Sequence, residues 1–569
     1  MANIIMDGLM VAQRKRAEEK HQNPALIVVG PGGSQYRYSW KDYMESAERV
    51  AVALCHFGVV KPGEKNFVAV IPLNLPESLF AILGIISAGG VPVPINPPLL
   101  RNDSGLAELD YILNDCQPSA VLVNQEIKDI AIEQFQKTQL ARDEKKFFSI
   151  DFLLEKGAEL INKGTKPPNY GAEKDTDDIL IMPYTSGTTG MPKGVMLTHG
   201  NILDRVQASI EYFHINNRDR IISHLSLGHI SDLVVVFFGH LAGGYTVYFS
   251  EYSQYSIDKP ELFKDNFQGF MQVARPTVFA TVPKVWGGLM LRIEKKMHIV
   301  PKFIRPLAVA LMRHKITKAI GLEDARLCIS AAALISQRTV RYFRELDIHI
   351  QDLYGQTEMA GPVSLNGMPI GNVRIDLKEM KKDEGGSEIL LSGSARMKGY
   401  FKNEEATAQK LIEYEGLTFF CSGDLAKVIL NPSSGIFDGF ELLARRGDGY
   451  KMSNGQFMSG VQIKKLQAGI ASLSPDLISE ENVLIHGKDK DYNVALVFVD
   501  FDGDVEKQNE LERKLTNQLY KVGEGYCKVR ELKVLDENKY LMMTPTKKVK
   551  REKTFERCRR FIERMYGER

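Results

Sequence analysis

Between residues 39 and 95 the chain alternates between two hydrophobic rhythms. The stretch SWKDYMESAERVAVALCHFG reads as a helix and leads into the apolar run NFVAVIPL; PESLFAILGIISAGG reads as a second helix and leads into VPVPI. Helix, strand, helix, strand is the order a layered α/β domain produces. Strand-sized apolar runs beside Gly, Pro, Asn or Asp recur as PSAVLV, DDILIMP, RIISHL, GYTVYF, PTVFATVP, ARLCISAAA and IHIQDLYG. No fixed-period repeat is present. From about residue 365 short alternating strands take over (GNVRIDL, SEILLSG, LTFFCSGDLAKVIL, FELLARR), with EEATAQKLI the one helical interruption. That texture predicts an appended, mostly antiparallel sheet. After Arg446 come a helix-like VQIKKLQAGIAS, the runs ENVLIHG and YNVALVFVD, a charged helix over 506–522 and a basic tail, the makings of a small α+β domain. The predicted division is 1–446 and 447–569, at the turn from Arg445 to Gly449.

At 569 residues, 44% apolar and 25% charged, the composition is that of a folded chain with at least two cores. A net charge of +2, from 73 basic and 71 acidic residues, argues neither for nor against nucleic acid. The six cysteines contain no CxxC pair and fit buried or surface thiols in a reducing compartment. The N-terminal MANIIMDGLMVAQRKRAEEK turns charged before an apolar segment of signal length develops, so a cytoplasmic location is expected. The apolar segments Leu79 to Val93 and Leu233 to Gly244 are shorter than the roughly 20 residues a bilayer demands. They read as core pieces, which leaves room for peripheral membrane contact.

The candidate chemistry starts at YTSGTTGMPKG, residues 184–194. A chain leaving a strand through SGTTG can turn several backbone N–H groups inward, because glycine tolerates positive φ and close ligand approach. Ser186, Thr188 and Thr189 add hydroxyls and Lys193 a mobile positive charge, a donor set matched to phosphate. It is not the GxxxxGK[ST] loop, since Lys193 follows proline and precedes Gly194. An ordinary mobile surface loop is the plainer alternative.

YTSGTTGMPKGVMLTHGN resembles the signature of the adenylate-forming enzymes, the superfamily of acyl-CoA synthetases, peptide-synthetase adenylation domains and luciferases. The resemblance continues through RPTVFATVPKVW, YGQTEMAG, GSEILLSGSARMKGYFKNEEAT, SGDLAKV and TPTKKVKR, in the usual order. It implies an α/β fold: a large N-terminal domain of two layered α/β subdomains plus a distorted β-barrel, then a small mobile α+β C-terminal domain. It implies two half-reactions: ATP and a carboxylate give acyl-adenylate and pyrophosphate, then a thiol, commonly coenzyme A, takes the acyl group. By the same resemblance Thr185, Ser186, Thr188, Thr189 and Lys193 hold the β and γ phosphates. Tyr354, Gly355, Gln356 and Thr357 line the adenine and α-phosphate side, and Glu358 takes Mg2+, a hard carboxylate for a hard cation. Asp424 and Arg445 serve the ribose. Lys548, three positions before Arg551, bridges the attacking carboxylate and the α-phosphate, stabilising charge that develops there, the plainer alternative being that Lys547, Lys548, Lys550 and Arg551 form only a solvated basic patch; Lys548, Glu358 and Thr188 form the catalytic set.

His229 in LSLGHISD resembles the histidine beside the acyl pocket in the long-chain branch, with Asp232 in the acidic position there; Trp286 also matches that branch, although plain core explains it equally. Ser330 and Ala331, placed by the same resemblance with His229 in the substrate pocket, stand in the usual GAAP turn, which reads SAAA over 330–333 and puts adenine packing in question. Gly447 occupies the hinge position usually held by Asp or Lys, Asn454 replaces a glycine of the thiol-channel loop, and Gln462 replaces a glutamate. Adenylation is therefore better supported than the identity of the thiol. The resemblance implies a fatty acid, medium, long or aromatic, as the carboxylate, with ATP, Mg2+ and CoA, an acyl carrier protein as the alternative thiol donor, and no nucleic acid. A non-catalytic interaction protein of the same fold, resting on membranes through Arg559, Arg560, Arg564 and Arg569, is the competing class.

Overall fold

The computed structural model describes residues 24–567 apart from 62, 102, 138–146, 169–174, 186–190, 256–257, 298–304, 334, 380–385, 431–436, 476, 502 and 544–548. One parallel sheet runs in the order Val91–Pro94, Phe67–Ile71, Ala120–Val123, Phe147–Ser149. Its strands FVAVI and AVLV are apolar throughout because both faces are covered. Val50, Ala51, Ala81 and Ile85, on helices Trp40–His56 and Pro76–Ser87, cover one face. Leu109, Ile112 and Leu113, on helix Asp103–Cys116, cover the other. The first of these helices begins where Ser39 and Asp42 close a reciprocal capping box.

Arg220–Ile222, Thr246–Ser250 and Leu26–Val29 form a second parallel set, with Gln35–Tyr38 antiparallel at its edge. A third set, Val278–Thr281, Leu327–Ala331 and Ile350–Gln356, is parallel and continues antiparallel through Gly361–Leu365 and Met368–Pro369. Thr277 N donates to Arg220 O at 2.9 Å and joins the two sets. The largest apolar cluster includes Trp40, Phe80, Phe237, Phe238, Ile329 and Met359. The segment Leu233 to Gly244 is thus a core piece, entered through a π-helical turn over Leu233–Phe238.

From residue 374 the sheet is antiparallel: Arg374–Glu379, Ser387–Ser392, Leu417–Leu430 and Leu411–Tyr414, with Phe437–Arg445 also paired to Leu417–Leu430. Register shifts bend that fourteen-residue strand. A smaller sheet centres on Lys193–Thr198, flanked by Ile179–Ile181, Tyr184–Thr185 and Gly399–Tyr400. Beyond residue 450, Val483–His486, Asn493–Val499 and Val529–Asp536 make a mixed sheet. Its two apolar clusters draw only on residues between 450 and 566. The charged helix there covers Val505–Thr516, shorter than expected, because Leu519 and Val522 turn into the core in a separate short turn. All six cysteines are free thiols. Among the described residues no helix is long and apolar enough to cross a membrane.

Candidate active site

Three strands meet at Asp424. Its own strand pairs it in register with Arg445, and Gly423, just before it in that strand, has a φ of 76° that favours glycine. The carboxylate is 4% exposed. Tyr354 Oη donates to its Oδ2 at 2.9 Å, Gln356 Nε2 donates to the same oxygen, and Arg445 Nε donates to Oδ1 at 2.9 Å. Gln356 Nε2 also lies 3.1 Å from Tyr354 Oη, and Asp424 N donates to Ser422 Oγ at 3.0 Å. Tyr354 and Gln356 share a face of Ile350–Gln356 because strand side chains alternate. Gly355 between them must be glycine: an added Cβ would sit 2.2 Å from Gly361 O. Burial, then the Asp424 carboxylate, pushes the Tyr354 phenol well above its ordinary value, so it stays a donor. Asp424 raises Arg445 further above its ordinary value.

Beyond Gln356 the chain enters the single turn Thr357–Met359, which carries Glu358. Met397 N donates to Glu358 O at 2.7 Å, and Tyr400 Oη donates to Glu358 Oε1 at 2.9 Å. The other face of this arrangement is Lys193, whose Nζ stands 5.1 Å from the Tyr400 ring centroid. Thr185 pairs with Lys193 across the hairpin that encloses the phosphate-type loop. Ser186, Thr188 and Thr189 lie outside the described residues.

The residues expected at the acyl side are separately placed. His229 precedes the short helical turn Ile230–Asp232, and its backbone N donates to Ser226 O at 3.0 Å. Asp232 is buried with no partner for Oδ2 among the described residues, and burial pushes its carboxyl up to about 7. Ser330 is buried opposite Thr281 and Asp352 in the sheet register, and Ala331 ends the strand. Burial pushes Asp352 up to about 6. The following Ala332 has φ of 73°, a left-handed conformation costly for a residue with a Cβ. Trp286 is core: it is fully buried between Phe279 and Phe343, at 5.0 and 4.9 Å between ring centroids, and Nε1 donates to Ile329 O at 3.1 Å.

Gly447 lies in the short turn Arg446–Asp448, where an added Cβ would touch nothing within 4 Å. Gln462 closes a capping box with Ser459 at the start of helix Gly460–Leu473, a role glutamate would fill as well. Asn454 Nδ2 donates to Gln456 Oε1 at 3.0 Å. Lys548 lies outside the described residues. On either side of it, Met543 and Val549 form an antiparallel bridge, and Lys550 Nζ pairs with Glu108 at 3.0 Å. Lys284 Nζ pairs with Glu537 and lies 3.6 Å from Met543 Sδ.

Sequence reasoning assigned no role to Tyr400 or Glu108 and read Lys550 only within a solvated basic patch; the Tyr400–Glu358 and Glu108–Lys550 contacts span separations that no local pattern encodes. Gln462 was recoverable, since Ser-x-x-Gln before a helix is a capping signature. The donor set fits a magnesium nucleotide. Glu358 offers one oxygen held by Tyr400 and a second with no hydrogen bond among the described residues. Among the same residues no group of three or more His, Cys, Asp or Glu gathers. A single carboxylate alongside substrate phosphates is how Mg2+ is usually held.

The family profile described as AMP-binding enzyme matches residues 13–401. The long-chain-fatty-acid–CoA ligase ACSBG2 of Xenopus laevis is 26% identical over 468 residues, covering 72% of this chain and 60% of that protein. Long-chain-fatty-acid–CoA ligase 5 of Rattus norvegicus is 26% identical over 507 residues, covering 78% and 69%. The chain thus spans 60 to 69% of the length of these two relatives. Among solved structures, the adenylation domain of a carboxylate reductase from Mycobacterium chelonae matches with a TM-score of 0.75 at 18% identity, over 99% of this chain and 93% of that one. An adenylation and carrier didomain of carboxylic acid reductase from Segniliparus rugosus, in complex with AMP, matches with a TM-score of 0.76 at 17% identity, over 98% and 81%. These likenesses show the fold. With two thirds of its length matched by the profile, the chain belongs to the AMP-binding enzyme family.

Proposed function

We propose that this protein joins a fatty acid, long-chain by preference, to ATP as an acyl-adenylate and then passes the acyl group to CoA. The observation that carries the reading is the Asp424 cluster: Tyr354, Gln356, Asp424 and Arg445 come from three strands and converge through hydrogen bonds. The names of the curated relatives support the substrate class. A buried carboxylate has several acceptor sites, so Asp424 can exchange neighbouring donors for ribose hydroxyls. Lys193, with the loop after Thr185, holds the β and γ phosphates. Glu358 would hold Mg2+, which would neutralise phosphate charge, a reading supported by its oxygen left without a hydrogen bond among the described residues.

In the first step a carboxylate oxygen bonds to the α-phosphorus as the bond to pyrophosphate breaks. Lys548 is assigned to that centre, where a fixed positive charge offsets charge building on the phosphorus oxygens. In the second step a thiolate sulfur bonds to the acyl carbon and AMP leaves. Residues 1–446 and 447–569 are proposed as two units, a reading supported by apolar clusters confined to 450–566.

The test is pyrophosphate release from ATP and Mg2+ across fatty acids of graded length, with and without CoA, using Lys548→Ala as control. Release that depends on the acid, falls in K548A and yields acyl-CoA only with CoA supports the proposal. Release without acyl-CoA moves the acceptor to a carrier-protein thiol. No release with any acid overturns the fatty-acid reading.

A further inference from the structure

Tyr400 ties together the two charged groups that the proposed reaction keeps apart. Its backbone is fixed to the strand bearing Lys193: Tyr400 pairs with Val195, and Phe401 N donates to Gly194 O at 2.8 Å. Lys398 N donates to Met196 O at 3.0 Å, and Tyr400 N donates to Thr407 Oγ1 at 2.9 Å. The side chain is 5% exposed. One end of it, the phenol, donates to Glu358 Oε1 at 2.9 Å, while the ring lies under Lys193 Nζ at 5.1 Å. Burial, then the Glu358 carboxylate, raises the phenol far above its ordinary value, so it remains a donor.

Among the described residues neither Lys193 nor Glu358 makes an ion pair. That separation has a physical consequence. A lysine and a glutamate free to meet would neutralise each other, removing the ammonium from phosphate and the carboxylate from a metal. An aromatic face attracts the ammonium without a counter-charge. The hydroxyl at the ring's far end fixes one carboxylate oxygen and leaves the second available.

Resting on the ATP and Mg2+ reading above, we propose that Tyr400 is a positioning residue that sets the Glu358 carboxylate for Mg2+ through its hydroxyl and the Lys193 ammonium for phosphate through its ring. The two functions separate by substitution. Tyr400→Phe keeps the ring and loses the hydroxyl; Tyr400→Leu loses both.

The experiment measures equilibrium binding of a fluorescent ATP analogue, first in EDTA and then across a Mg2+ titration, without turnover. Hydrogen-bond partners of metal-binding carboxylates typically contribute ten- to a hundredfold to metal affinity. Y400F is expected to raise the Mg2+ midpoint about tenfold and leave binding in EDTA unchanged. Y400L is expected to weaken binding in EDTA as well, by about threefold or more. A general structural role would move melting temperature and both binding measures together in Y400F. An unchanged Mg2+ midpoint in Y400F, with wild-type binding intact, overturns the proposal. Wild-type protein that binds no nucleotide overturns the reading beneath it instead.

Discussion

Replacing Asp424 with asparagine is predicted to weaken both the fold and nucleotide binding, by amounts the geometry sets. Asparagine keeps one oxygen, best placed to accept from Tyr354 and Gln356, and turns an amide toward Arg445. The two retained bonds become neutral, and charge-assisted bonds are roughly twice as strong as neutral ones, so each loses about 1 kcal/mol. The Arg445 pair is lost outright, but that side chain is 43% exposed, which limits its share to roughly 1 kcal/mol. The total is about 3 kcal/mol, and at no more than about 2 °C per kcal/mol in a body of this size the melting temperature falls by up to about 6 °C. Two ribose hydroxyl bonds weakened similarly raise the KM for ATP by about 10- to 100-fold. Differential scanning fluorimetry and ATP-dependent pyrophosphate release read the two effects. A destabilised D424N with an unchanged KM for ATP would refute the ribose assignment, and unchanged stability would refute the energetic argument for the cluster.

Glu108→Gln is predicted to slow pyrophosphate release about tenfold, since Glu108 and Lys550 are mostly buried and Lys550 follows Lys548 by two residues. The charge swap E108K with K550E should restore much of the rate; no recovery would argue against a positioning role. Asp232 binds a proton in the folded state between its ordinary value of 3.8 and about 7, so stability falls as pH rises through that window and levels off above it. The loss is on the order of 4 kcal/mol; Asp232→Asn should remove that pH dependence in urea melts at pH 5 and pH 8, and an identical slope in both proteins would contradict it. Trp286→Phe should cost about 1–3 kcal/mol through the lost Nε1 bond and a small cavity. Fatty-acid chain-length preference should be unchanged, and a shifted preference would return Trp286 to the acyl pocket.

The layered elements were legible because burial on two faces imposes apolar runs such as FVAVI and AVLV, and a capping pair marks where the helix after Ser39 begins. The order of the strands was not. Nothing local tells that Phe67–Ile71 lies between Val91–Pro94 and Ala120–Val123. The same limit applies to the site. YGQTE and SGD stand out as short polar segments, yet the bond from Gln356 to Asp424 depends on two strands of different sheets meeting. Trp286 illustrates ambiguity of another kind, since an aromatic residue in an apolar segment suits a pocket or a core until its neighbours are known. Tyr400 was visible within GYFKN, but its two partners are distant in sequence.

The most direct measurement uses the protein in excess over ATP, with Mg2+ and a long-chain fatty acid but no CoA, quenched and read by mass spectrometry. An acyl-adenylate equal in amount to the pyrophosphate released is the predicted result. ADP with inorganic phosphate, or ATP left intact while the acid is bound, would contradict adenylate formation as the chemistry of this site.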